Sequence, residues 1–377
     1  MAGIYIHIPF CKQACHYCNF HFSTNHSQKA AMVEAICKEI ILTPVFDKNE
    51  IIETIYFGGG TPSLLSMPEL EKILNTIRQK FSIVTDAEIT LEANPDDINP
   101  TVLQAWLQAG INRLSLGIQS FNEAELKWMN RAHHAAQSLQ SIDQIQAAGF
   151  QNFSVDLIYG SPLLSNDDLI KNVGIIFEKN IPHISCYALT VEYKTALYYL
   201  IDKNKSPNVD ESIQADQFEI LQALMNKNGY EQYEISNFAK PGYRSKHNSS
   251  YWKSKPYYGF GPSAHSYDGN KTRRWNVANN ALYIQSIEKN ILPQEEEILT
   301  PAQQMNEYIM IGLRTIEGIN LNEFSKKFGK EYSDQLITHA KPFINIELED
   351  ISEGFIRLNT KSKFLADGIA AELFFEE

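Results

Sequence analysis

Three cysteines stand within eight residues of one another in Cys11-Lys12-Gln13-Ala14-Cys15-His16-Tyr17-Cys18. A C-x3-C-x2-C loop presents three thiolates from one short stretch, enough to hold three irons of a cubane cluster and leave the fourth iron open. An open iron can take a small-molecule ligand, which a four-cysteine cluster cannot. The same spacing also suits a structural zinc ion, with His7, His16 or His21 completing a tetrahedron. The other two cysteines, Cys37 and Cys186, fall in a helical stretch and a strand-like run and read as small core residues.

Further polar groups follow at regular intervals. A run of β-rich residues ends in Gly58-Gly59-Gly60-Thr61-Pro62-Ser63, where missing side chains let a ligand approach the backbone. It is no phosphate loop, since no Gly-Lys-Ser/Thr follows, and it lacks the G-x-G-x-x-G spacing of a dinucleotide site. Glu92 closes the next strand-like run, Gln119 the one after, and Asp156 lies in the fifth, while Arg131 follows in Met129-Asn130-Arg131. A second group lies in His247-Asn248-Ser249-Ser250-Tyr251-Trp252 and the aromatic, glycine-rich segment through Trp275.

Positioning these groups requires a scaffold. Short apolar runs at 3–8, 53–57, 87–93, 112–118, 152–158 and 183–189 alternate with helical periodicity near 27–42, 67–80, 100–109, 122–130, 135–148 and 166–180. Gly110 and Gly149 sit where helix C-caps belong. Six βα units imply a parallel sheet with crossover helices, too few for a closed eight-fold barrel. The expected fold is therefore α/β, a partial (β/α)6 barrel, with its site at the C-terminal ends of the strands. Beyond it, 211–228 reads as a helix, 230–235 as a strand, and helices near 301–315, 321–328, 331–340 and 362–373 with a hairpin at 344–358 make a smaller α+β, winged-helix-like domain. The expected division is 1–200 barrel, 201–300 aromatic and His-rich extension, and 301–377 C-terminal domain.

Composition narrows the function classes. Net charge is -12, and residues 295–377 carry 16 acidic against 8 basic side chains, a surface that repels phosphate backbones. Nucleic acid is thus not the expected partner. No apolar run approaches the length of a membrane helix, the N-terminus lacks a signal peptide, and so few cysteines make no disulfide framework, which together place the chain in the cytoplasm.

The run Tyr5-Ile6-His7-Ile8-Pro9-Phe10-Cys11 with Cys15 and Cys18 resembles the signature of radical S-adenosylmethionine (SAM) proteins in the oxygen-independent coproporphyrinogen III oxidase group. The resemblance implies a [4Fe-4S] cluster on Cys11, Cys15 and Cys18, SAM chelating the open iron, and cleavage of SAM to a 5′-deoxyadenosyl radical by an electron from a donor such as flavodoxin or ferredoxin. It also implies SAM contacts from Tyr5, Gly59, Gly60, Thr61, Glu92, Gln119, Arg131, Asp156 and Ala188, with Arg131 forking onto the SAM carboxylate.

Two departures set the chain apart from the oxidases proper: Phe20 stands where they carry a fourth cysteine, and only ten residues precede Cys11. The H-N-x-x-Y-W run at 247–252 resembles instead the HemW group of haem chaperones. That resemblance implies haem as a bound ligand and haem-accepting apoproteins as partners, the alternative being oxidative decarboxylation of coproporphyrinogen III. His247 is then the expected axial ligand and His265 its rival. Tyr251, Trp252, Tyr257 and Phe260 would line the haem faces, and Arg244, Lys246, Arg273 or Arg274 would meet the propionates.

Overall fold

The computed structural model describes residues 1–349 and 351–376. Six parallel strands follow one another in chain order: β1 (Ala2–Ile8), β2 (Ile51–Gly59), β3 (Ser82–Ala93), β4 (Arg113–Gln119), β5 (Phe153–Tyr159) and β6 (His183–Ala188). Between them run α1 (Lys29–Leu42), α2 (Met67–Lys80), α3 (Pro100–Ala109), α4 (Glu123–Trp128), α5 (Ala135–Ala148) and α6 (Asn166–Glu178). Local chemistry sets these boundaries. Ser66 and Glu69 form a capping box on α2, and Asn99 caps α3 with Pro100 at its first turn. Gly110 and Gly149 end α3 and α5 in the left-handed conformation at φ 99° and 96°.

The two faces of each strand differ. Outward-pointing residues such as Ile4, Ile6, Ile55, Phe57, Leu91, Leu114, Leu116, Val155 and Ile184 are buried in one apolar core with the helices. The alternate positions Thr54, Glu88, Thr90, Arg113, Ser115, Ser154, His183 and Ser185 are buried as well, and they are polar. The sheet therefore wraps a polar lumen.

The middle of the chain extends both edges of the sheet. After α7 (Ala196–Asp202) and α8 (Glu211–Lys227), strands β7 (Glu231–Glu234) and β8 (Asn237–Ala239) add antiparallel beside β6. Helix α9 (Lys246–Trp252) leads to β9 (Tyr257–Phe260), which pairs parallel with β1; β10 (His265–Tyr267), β11 (Thr272–Asn276) and β12 (Gln294–Ile298) continue antiparallel, with α10 (Asn280–Glu288) between the last two. Fully buried Glu39 on α1 pins this extension, accepting from Gly261 N (2.8 Å), Asn276 Nδ2 (2.6 Å) and the Tyr283 hydroxyl.

A second core gathers α11 (Pro301–Leu313), β13 (Ile319–Asn320), α12 (Leu321–Phe328), α13 (Lys330–Ala340), β14 (Phe355–Ile356) and α14 (Ala366–Glu372). The hairpin expected at 344–358 is replaced by a looser arrangement. Leu348 bridges Leu358, while Phe355 and Ile356 pair with Asn320 and Ile319. The open edge of β13 and the fully buried Ile356 draw this segment away from its sequence neighbours. Asp350, within that span, lies outside the described residues.

Candidate functional site

A cavity of about 480 Å³ opens at the C-terminal ends of the six strands. That volume suits a small-molecule ligand or cofactor. Its wall includes Cys11, Cys15 and Cys18, the turn Gly59-Gly60-Thr61, and Glu92, Gln119, Arg131, Asp156 and Ala188. Tyr5 and His247 are not on this wall.

The cysteine loop leaves β1 and is tied down on several sides. Cys11 N donates to Ser23 O (3.0 Å) and Ser23 N to Pro9 O (2.9 Å). His16 N donates to Met129 O (3.1 Å), and its ring bonds Trp128 O (2.7 Å). Lys12 pairs with Asp96 and Asp97 after β3, and Asn130 Nδ2 donates to Ala14 O (2.7 Å). The three thiols are half-buried and unlinked by disulfides. Burial pushes the Cys11 thiol up to about 11 and also raises Cys18, so a metal must displace protons to bind here. His7 and His21, considered above as zinc ligands, are otherwise engaged: His7 bonds His21 O (2.8 Å) and His21 bonds Asn280 (2.7 Å). Cys37 and Cys186 lie in the apolar core.

The glycine turn serves the loop as well as the cavity. Gly59 has φ +105°, and a side chain there would meet the His7 ring at 2.6 Å; one on Gly60 would meet the Phe10 and Ile8 carbonyls at 2.7 and 2.8 Å. Gly60 N donates to Ile8 O (2.9 Å), seating the turn against the cysteine loop. Gln119, at the end of β4, holds φ +68°, a strained conformation for a non-glycine residue on a cavity wall.

Glu92 and Asp156 face the lumen from β3 and β5. Tyr56 donates to Glu92 (2.7 Å), and Ser115 donates to both Asp156 oxygens (3.3 Å). Burial pushes the Glu92 carboxyl up to about 7 and that of Asp156 up to about 6. A cationic ligand entering the cavity would favour both ionised forms.

The fork expected of Arg131 is already engaged. Its Nη1 donates to Cys15 Sγ (3.1 Å), and its Nη2 to Asn94 Oδ1 (2.6 Å) and Gly117 O (2.7 Å). Among the described residues only Nε is without a partner. Arg131 thus braces Cys15 against β3 and β4. Tyr5 lies behind the wall, with its hydroxyl on His7 Nδ1 (3.2 Å) and its ring stacked on Tyr56.

His247, the expected axial ligand, lies inside the fold. Its side chain is 2% exposed, Nδ1 bonds Thr54 Oγ1 (2.8 Å) and Nε2 bonds the Tyr251 hydroxyl (2.8 Å). Its ring stacks on Tyr56 at 4.9 Å, and burial holds its pKa down to about 3. To bind an iron it must first give up one of these hydrogen bonds. The expected propionate partners are also taken: Arg244 by Glu231 and Glu317, Lys246 by Asp86, Arg273 by Glu307 and Arg274 by Glu296. Tyr258 and Phe260 are core residues. His265 is the contrasting imidazole: it is exposed, its ring stacks on Trp275 at 6.0 Å, and it has no side-chain hydrogen bond among the described residues.

Residues 5–173 match the radical SAM superfamily and residues 299–365 the HemN C-terminal domain. The chain is 34% identical to a protein named heme chaperone HemW from Bacillus subtilis (strain 168), over 98% of both chains. The chain belongs to the HemW family of radical SAM proteins. Another family relative, from Lactococcus lactis, is 34% identical over 97% of each chain; the one from Escherichia coli is 35% identical over 70% of this chain and 69% of its own. The solved structure of the Escherichia coli coproporphyrinogen III oxidase HemN, described as a radical SAM enzyme, superposes with a TM-score of 0.84 at 21% identity, covering 99% of this chain and 90% of that one. The HemW-family chain thus shares the HemN fold.

Several cavity residues of this HemW-family chain escaped the sequence reading: Tyr56, Asn94, Ser115, Ser185, Tyr187 and Asn248. All but Asn94 and Asn248 lie on strands, at lumen-facing positions, so strict alternation from Glu92 and Asp156 across neighbouring strands would have found them. Asn248 could not be found that way, because it comes from α9, some ninety residues beyond Asp156.

Proposed function

We propose that this chain is a radical SAM haem chaperone that binds a [4Fe-4S] cluster through Cys11, Cys15 and Cys18, binds SAM in the lumen, and delivers haem to haem-accepting apoproteins. The observation that carries the cofactor reading is the placement of three thiols and two lumen carboxylates, from distant parts of the chain, around one cavity. Among the described residues no three His, Cys, Asp or Glu side chains gather as a single metal ion would require.

A bound cluster supplies an open iron and one electron. The residues of this chain do the rest. Glu92 and Asp156 favour a cationic ligand with donor groups, and Gly59, Gly60 and Thr61 give backbone access. Arg131 holds Cys15 in place. We propose the division into a barrel over 1–200, its extension over 201–300 and a C-terminal domain over 301–377, and an electron donor of the flavodoxin or ferredoxin kind. Haem delivery is supported by the names of the relatives. His247 does not fit as the ligand as it stands, and His265 beside Trp275 is the open imidazole available to haem iron.

Anaerobic reconstitution tests the cluster: about four irons per chain are expected from a cubane, lost in Cys11→Ala, Cys15→Ala and Cys18→Ala. One zinc per chain would overturn the reading. Haem titration followed by the Soret band tests the chaperone. His265→Ala should lose the band and His247→Ala keep it, and vinyl-bearing porphyrin formed with SAM turnover would replace the chaperone by the oxidase.

A further inference from the structure

Arg113 is 1% exposed, and its Nε and Nη1 have no hydrogen-bond partner among the described residues, nor does it form an ion pair there. A guanidinium taken from water without a partner is among the costliest groups to bury, so its surroundings must account for it. It points into the lumen from the first residue of β4, opposite Thr90 of β3. One rung nearer the cavity stands Ser115, opposite Glu92 on one side and Ser154 on the other, and bonded to both oxygens of Asp156. Arg113 therefore lies beneath the serine that separates the two carboxylates.

The other nearby carboxylates are already used. Glu88 accepts from Lys246 N (3.0 Å) and His247 N (2.9 Å) at the start of α9. Glu234 is bound by Arg314 and Asn237. The remaining neighbours of Arg113 are neutral: Thr90 Oγ1 and His183 Nδ1 lack partners, and His183 Nε2 bonds the Tyr233 hydroxyl (2.8 Å). Glu92 and Asp156 are the anions left to balance it.

We propose that Arg113 is a positioning residue of the SAM pocket, a buried counter-charge that keeps Glu92 and Asp156 ionised without touching SAM. The proposal rests on SAM binding in the lumen. The charge of Arg113 lowers the pKa of both carboxyls against the larger effect of burial, and the same positive field helps to keep His183 and His247 neutral. The groups facing Glu92 are Tyr5, Tyr56, Tyr187, Tyr251, Asp156 and Cys18, whose thiol is raised by burial in the apo protein; those facing Asp156 are Glu92, Tyr56, Arg131, Cys186 and Tyr187. Tyr5, Tyr56 and Tyr187 are raised and stay neutral across the range tested, as does Cys186. The carboxyl pair is thus the part of this constellation that changes charge there.

The test compares wild type, Arg113→Met and Arg113→Lys, reconstituted anaerobically, by equilibrium dialysis with SAM from pH 6.0 to 8.5. Arg113→Met should bind roughly tenfold more weakly near pH 6.5 and within about threefold of wild type at pH 8.5, where both carboxyls ionise unaided; Arg113→Lys should stay within about threefold throughout. Equal affinities at pH 6.5, or a gap that does not change with pH, would overturn the proposal. A readout without SAM separates its failure from that of the SAM reading. The infrared carboxyl bands of the apo protein, assigned with Glu92→Gln and Asp156→Asn, should titrate about one unit higher in Arg113→Met. Unchanged midpoints overturn the counter-charge; a wild type that binds no SAM overturns only the reading on which it rests.

Discussion

The outer and inner faces of the same six strands have opposite chemistry. Leu91, Leu114, Leu116 and Val155 point outward into the helices, while Glu92, Arg113, Ser115 and Asp156 point inward from adjacent positions. Strands of a parallel sheet covered on both sides usually read as continuous apolar runs. Here the inward positions of β3 to β6 include Glu88, Thr90, Arg113, Ser115, Ser154, His183 and Ser185, all polar and all buried. The outer face supplies the burial that holds the fold together, and the inner face carries charges that weaken it in return for a binding site. Stability and function are thus written on alternate residues.

The largest effect should come from the outer face. Leu91→Ala leaves a void in a fully buried site and should cost about 2–5 kcal/mol of unfolding free energy, measured by urea denaturation, while the folded fraction keeps its cluster. A variant that instead loses the cluster at unchanged stability would mean that the two faces are not separable.

The inner face should respond in the opposite sense. Glu92 and Asp156 have folded-state pKa values raised above their ordinary ones, to about 7 and about 6, so the folded protein binds their protons more tightly than the unfolded chain. Their contribution is most favourable below the ordinary carboxyl range and is lost as pH rises through 6 and 7. Replacing them by Gln and Asn together with Arg113→Met, so that no buried charge is left unbalanced, should therefore stabilise the apo protein at pH 8 by on the order of 2 kcal/mol. The gain should shrink toward pH 5, as followed by the difference in melting temperature from wild type. A gain independent of pH would remove the electrostatic half of the comparison.

The smallest effect is expected from Cys37→Ala on α1, on the helix side of the outer core. It should change stability by about 1 kcal/mol or less and leave the iron content unaltered. Loss of iron there would break the assignment of the thiols to separate roles.

The barrel was legible because its signals are local. Alternation of apolar runs with helical periodicity located the six strands, and Gly110 and Gly149 marked helix ends within a residue or two. The cysteine loop and Glu92 could be read because each sits at a strand's end, where position in the sequence translates into position around the mouth, and Asp156 because it stands within an otherwise apolar strand-like run. Contacts between distant segments could not be read. Nothing near His247 reveals that Thr54 will take one of its nitrogens, or that β9 will pair with β1 across some 250 residues. Arg131 shows the same limit: nothing in its own segment reveals that Cys15, Asn94 and Gly117 will accept from its guanidinium.

The pairing of β1 with β9 also sets an order of events during synthesis. β1 leaves the ribosome before the rest of this sheet, and its edge toward β9 stays open until Tyr257–Phe260 have been made. At translation speeds of about 5–20 residues per second, that leaves an apolar strand with unpaired backbone groups exposed for tens of seconds. Chains that stall or terminate near residue 200 would carry six strands with that edge bare, so they are expected to aggregate or to be held by general chaperones. The nascent sheet is vulnerable at β1, until the chain supplies that strand's last neighbour.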